Sequence, residues 1–249
     1  MADWNDNRTR AGLGTSDSFT GASVPRTREV FDAGLRSYML SIYNYMTSGV
    51  LLTGVVALLT AQSGLAITFA HGPLMWLVAL SPLAIVMAMS FGANRFSTNA
   101  LRAMFWGFAV LMGLSLSTIF LIYTGSSIAA TFFATAGAFA GLSLFGYTTK
   151  KDLSAFGTFL IMGVVGLIVA MVVNMFLRST GLDLAISFLG VLIFAGLTAY
   201  DTQRLKGSYA QMRGTEFAGK MVVLGALQLY LDFINMFLFL LRFMGNGRN

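Results

Sequence analysis

The sequence predicts an all-α membrane protein with seven transmembrane helices. Three observations carry the prediction. Hydrophobic residues make up 56% of the 249 and charged residues only 10%, against about 25% charged in soluble domains. A soluble fold of that composition would expose apolar patches far beyond what a monomer tolerates. Apolar runs of spanning length then recur along the chain, and the basic residues fall on alternate sides of them in a strongly biased way.

A spanning helix needs about 20 mostly apolar residues. Seven runs qualify, at roughly 38–62, 74–93, 101–123, 126–147, 155–177, 184–203 and 219–243. Each is too long for a strand and lacks alternation of period two. Helices are the default because open backbone in lipid leaves polar groups unsatisfied.

Residues 1–35 are polar, rich in Gly, Ser, Thr, Asn, Asp and Arg. No apolar core follows Met1, so the segment is not a cleaved signal peptide, and it reads as a disordered cytoplasmic tail. Residues 36–249 form the membrane domain. His71-Gly72-Pro73 breaks the chain before the second run, and Thr124-Gly125 leaves only a tight hairpin between the third and fourth. Lys150, Lys151 and Asp152 precede Ser154 as an interfacial start to the fifth. Gly137 and Gly141 form a small-xxx-small spacing suited to close helix packing. The 27 glycines read mainly as packing residues.

Orientation follows from charge. The N-terminal side receives Arg8, Arg10, Arg26, Arg28, Arg36, Arg95, Arg102, Lys150, Lys151, Arg204, Lys206, Arg213 and Lys220. The other side receives Arg178, Arg242 and Arg248. Thirteen against three places the N-terminus in the cytoplasm and the C-terminus outside by the positive-inside rule. A merged pair of runs would scramble this bias, so it also supports an odd number of spans.

Composition excludes several chemistries. With no cysteine, there is no disulfide scaffold, zinc–thiolate site or cysteine nucleophile. The one histidine, His71, excludes a His-rich metal site, and His-Glu-x-x-His is absent. Ser143 sits in Gly141-Leu-Ser-Leu-Phe-Gly146, but His71 is expected on the opposite side, so a serine–histidine pair is not formed. No lysine lies mid-way along the last run for a retinal linkage, and no phosphate-binding loop motif occurs. The expectation is a protein that is not an enzyme and holds no tightly bound cofactor.

The informative residues are two acids. Of ten Asp and Glu residues, eight lie in the tail, in loops or at helix ends. Asp232 sits in the middle of the seventh run between Leu231 and Phe233. An ionised Asp there costs roughly 2.5–3.5 kcal/mol on insertion scales, so it needs a partner, a proton or the bundle interior. Gln228, Asn235 or a neighbouring helix could supply the partner. Such residues commonly mark ion or proton pathways. Asp201 ends the apolar stretch of the sixth run after Ala199-Tyr200, with Arg204 and Lys206 beyond it. At 1.5 Å per residue, Asp201 is about 7–8 Å deep from Lys206 and Asp232 about 18 Å deep from Lys220. The two meet only if the seventh helix starts deeper or the sixth runs past Lys206, and spacing leaves this open. An interfacial salt bridge is the plain alternative for Asp201. If the carboxyls do meet, they cannot both ionise easily and share a proton. That makes a pH-sensitive latch whose freed oxygens suit a hard cation such as Ca²⁺. Arg95, at the end of the second run, is a candidate counter-ion, or simply a positive-inside anchor.

Three segments, Phe145-Gly-Tyr-Thr-Thr-Lys-Lys-Asp-Leu-Ser154, Gly190-Val-Leu-Ile-Phe-Ala-Gly-Leu-Thr-Ala-Tyr-Asp-Thr-Gln203 and Ala226-Leu-Gln-Leu-Tyr-Leu-Asp-Phe-Ile-Asn235, resemble the Bax inhibitor-1 (transmembrane Bax inhibitor motif) family in its bacterial branch. The likeness covers about residues 36–243 and excludes the tail. It implies a seven-helix bundle with the last helix central, in the bacterial inner membrane. It also implies a pH-sensitive calcium leak channel whose sensor and gate is an aspartate pair, falling here on Asp201 and Asp232. That pair would then line a Ca²⁺ pathway, with Ca²⁺ as permeant ion. A basic residue on the second helix, placed at Arg95, takes part in some members. Others carry an acid on that helix, whereas nothing acidic lies here between Asp32 and Asp152. A second implied reading is a non-transporting regulator that binds or inhibits a membrane-bound AAA protease, with the tail as the contact. A proton-coupled transporter ranks third, since no pair of broken helices is evident. The expected partners are membrane lipids, Ca²⁺ and protons, with no nucleic acid.

Overall fold

The structure, a computed structural model, describes residues 23–215 and 217–247. Every regular element there is helical: α1 (Ser23–Gln62), α2 (Leu65–Phe69), α3 (Gly72–Gly92), α4 (Thr98–Leu116), α5 (Ile119–Ile122), α6 (Gly125–Thr148), α7 (Ser154–Leu177), α8 (Thr180–Met212) and α9 (Phe217–Met244). Among the described residues, seven helices are long and apolar enough to cross a membrane, with α4 and α5 together forming the third. The expected all-α, seven-helix class is therefore found.

The chain divides between Arg36 and Ser37 into two compact units. In the first, the expected tail needs correction. Residues 23–35 are helical, as the opening turns of α1, while residues 1–22 lie outside the described residues. Pro25 is compatible with this start because the first turn of a helix has no intrahelical partner for its N–H groups. Asp32 and Arg36 follow at four-residue spacing, which sets opposite charges on one helix face.

In the second unit, residues 37–249, several helix starts are fixed by local capping. The side chains of Ser97, Thr124 and Ser179 each accept a backbone N–H from three residues on, at 3.2–3.3 Å. Gly72 turns the chain into α3 with φ of 69°, a conformation that favours glycine. Before α7, Asp152 Oδ1 accepts the Ser154 N–H at 2.9 Å. The Ser154 hydroxyl and amide together hold this exposed carboxyl below the usual carboxylate range.

The last helix is the core. Two-thirds of the α9 span (67%) is buried, against 11–39% for the other spans. Apolar residues surround it on all sides, as a fully enclosed helix requires. Phe105 and Phe108 of α4 set their edges against Tyr230. Phe132 and Phe139 of α6 do the same against Phe233. Phe194 of α8 stacks on Phe239.

Close approach falls on different glycines from those expected. Gly137 and Gly141 face open space on the outer side of α6. The buried face of that helix runs through Thr131, Thr135, Phe139, Ser143 and Gly146, and a spacing of four at 137 and 141 falls off it. A Cβ on Gly146 would collide with the Ala199 backbone carbonyl of α8, and one on Gly190 with the Phe239 ring. Those two contacts set how closely α6 and α9 lie against α8.

Candidate functional site

The site lies where α8 meets α9. The α8 helix runs past Lys206 to Met212, and this resolves the depth problem posed by the sequence. Asp201 lies eleven residues from the end of α8 (201 to 212), and Asp232 fifteen from the start of α9 (217 to 232). At 1.5 Å per residue these are about 16 and 22 Å, so the two positions come to similar depths. Both aspartates are only 5% exposed.

The two carboxyls come within hydrogen-bonding reach of each other. Gln228, one helical turn before Asp232, also reaches the Asp201 side chain. Asn235 does not join them, because its amide donates to the Leu231 carbonyl at 2.8 Å. Asp232 Oδ2 is buried without a hydrogen-bond partner. A buried oxygen in that state is costly in a low-dielectric interior and has capacity for a proton, a water or a cation.

The charge that acts on Asp201 comes from Arg204, one turn along α8. Arg95 is placed elsewhere. It lies exposed in the turn after α3, its N–H bonded to the Gly92 carbonyl at 2.9 Å, and the structure does not bring it to Asp201. The reason is that α3 ends at Gly92, so Arg95 is not carried on the helix. Among the described residues, no group of three or more His, Cys, Asp or Glu side chains gathers to hold a metal ion. Two carboxyls fall short of the six to eight oxygens of a closed calcium site.

Around the pair, α8 is anchored to the α6–α7 connection. Thr202 Oγ1 donates to Ser143 Oγ at 3.3 Å. The Gln203 amide donates to the Lys151 carbonyl at 2.8 Å, and its carbonyl oxygen accepts the Leu153 N–H at 2.9 Å. The Lys206 ammonium donates to the Tyr147 carbonyl at 2.7 Å and lies 4.9 Å from the centre of the Tyr147 ring. It therefore neutralises the C-terminal end of α6, where the helix dipole is negative. The three α8 residues of this anchor, Thr202, Gln203 and Lys206, were not separable from ordinary polar positions by sequence.

The arrangement defines a class: a multi-span helical membrane protein with a carboxyl pair buried between its last two helices. Comparison with known proteins is specific about the family. Residues 35–249 match the family described as Inhibitor of apoptosis-promoting Bax1. The chain is 48% identical over 239 residues to a protein of Caulobacter vibrioides, covering 91% of this chain and 96% of that one. It is 46% identical over 220 residues to the Inner membrane protein YbhL of Escherichia coli K12, covering 87% and 94%. A Rickettsia prowazekii protein is 44% identical over 223 residues, covering 89% and 94%. The chain belongs to the Bax inhibitor-1 family of membrane proteins.

Proposed function

We propose that the protein is a pH-sensitive leak pathway for Ca²⁺, gated by the Asp201–Asp232 pair rather than acting as an enzyme. The observation that carries this reading is the meeting of two buried carboxyls on neighbouring helices, one with an unpartnered oxygen. With one shared proton the pair is a hydrogen bond that holds α8 to α9. Loss of that proton leaves two like charges. At about 4 Å and an effective dielectric near 20 they repel by roughly 4 kcal/mol, which biases a two-state equilibrium by roughly a thousandfold. The opened pair presents hard oxygens that suit a divalent cation.

The relative named as an inner membrane protein supports an inner-membrane location, and the basic bias supports a cytoplasmic N-terminus. The test is Ca²⁺ entry into liposomes carrying the full chain, at pH 6 and pH 8. The expected result is greater flux at pH 8. Flux indistinguishable from empty liposomes at both values would overturn the reading and favour a regulator without transport.

A further inference from the structure

Buried hydroxyls recur along α6 and α8, two helices that pack against each other and against α9. On α6 these are Ser127, Thr131, Thr135 and Ser143, and on α8 Thr198 and Thr202. Between helices in an apolar medium, hydroxyls are ordinarily useful as cross-helix hydrogen bonds. Here the described cross-seam hydroxyl pair is Thr202 with Ser143. Thr135 and Thr198 instead donate back to the carbonyls four residues earlier on their own helices, each at 2.8 Å. Their protons are thus satisfied locally, and their oxygen lone pairs are left for another donor or a cation. At one end, Ser127 accepts the Asn246 N–H at 2.9 Å beside the C-terminal segment. Towards the other, the Ser143–Thr202 bond adjoins Asp201 on α8, whose partner Asp232 has the unpartnered buried Oδ2.

One apolar contact interrupts this file. The Phe139 and Phe233 rings meet edge to face, centroids 5.6 Å apart. Phe139 lies on α6 between Thr135 and Ser143. Phe233 is next in the chain to Asp232, so any shift of α9 that parts the aspartates also moves this ring.

We propose that the permeating cation travels along the α6–α8–α9 seam through these oxygens, and that the Phe139–Phe233 contact is the gate that closes it. The proposal rests on the leak reading above and adds its route. Hydrated ions do not cross an apolar constriction until it widens and wets, which gives the ring pair its closing action. The hydroxyl oxygens and the carboxyls are hard donors of the kind an alkaline-earth cation accepts.

The chain has no cysteine, so single reporters can be placed without background. The full chain carrying Thr135→Cys would be reconstituted and treated with a small, membrane-impermeant cationic thiol reagent. Phe159→Cys, on the outer face of α7 and 68% exposed there, serves as the lipid-facing control. Adding Phe139→Leu should accelerate labelling of Thr135→Cys at least tenfold over the control and raise Ca²⁺ flux severalfold at pH 6. Leucine keeps the site apolar and folded but removes the ring. Phe233→Leu should act alike. Two results would overturn the route. One is labelling as slow as at Phe159→Cys in every background. The other is equal acceleration by Phe108→Leu, a buried ring on α4 outside the seam. Flux that depends on Asp232 while Thr135→Cys stays inert would sink the route and leave the leak reading standing. Labelling without any Ca²⁺ flux would support the seam and sink the calcium reading.

Discussion

Tyr230 of α9 donates its hydroxyl hydrogen to Thr53 of α1. The two oxygens are 2.6 Å apart, and Thr53 spends its own proton on the Ala109 carbonyl of α4 at 2.8 Å. Three helices are thereby tied at a single buried point. Tyr230→Phe removes one bond of this chain and leaves the Thr53–Ala109 bond intact. It should cost about 1 kcal/mol, seen as a fall of roughly 2–4 °C in the unfolding midpoint of the detergent-purified protein.

Asp232→Asn replaces the central acid by a side chain that cannot ionise near neutral pH. The amide can still hydrogen-bond Asp201, so the bundle should assemble. Flux should become nearly equal at pH 6 and pH 8, in contrast to the rise with pH that the proposed latch predicts for the native chain. A retained pH response in both Asp232→Asn and Asp201→Asn would dismiss the pair as sensor.

Asp152 provides the control for that experiment. Its carboxyl is held below the usual range by Ser154, so it stays ionised throughout pH 6 to 8. The favourable effect of a depressed acid is present above its unfolded value and is lost only as pH falls through the folded one. Asp152→Asn should therefore leave the ratio of flux at the two pH values unchanged.

Gly146 meets the Ala199 carbonyl so closely that a methyl group cannot be added without moving α6 from α8. Gly146→Ala should destabilise by about 1–3 kcal/mol. Gly137→Ala, facing open space on the same helix, should be neutral or stabilising by up to about 1 kcal/mol from helix propensity. Thermal unfolding of the two variants side by side measures the contrast.

Gln203 grips the α6–α7 connection from α8 with both ends of its amide. Gln203→Ala should loosen residues 149–153 by about 1 kcal/mol, which is roughly a fivefold faster hydrogen exchange at the Leu153 amide. Amides in the middle of α9 should not change.

The spans were legible in the linear chain because each depends on local composition. A run of apolar residues long enough for the bilayer must be helical, whatever its neighbours do. For the same reason Asp232 stood out as a charge with no local means of satisfaction. Its partner was not legible in spacing. The position of Asp201 relative to the membrane depended on α8 continuing past Lys206, and polar residues there give no apolar signal for a helix. Arg95 and Gly137 show the converse. Each had the right residue type, but α3 stops before Arg95 and the packed face of α6 turns away from Gly137. Thus the amino-acid order by itself determined the number of spans, the charge bias and the presence of a buried acid. Only the tertiary structure decided which side chains meet that acid, because meeting depends on the rotation and register of helices against one another, and these are set by packing summed over the whole bundle.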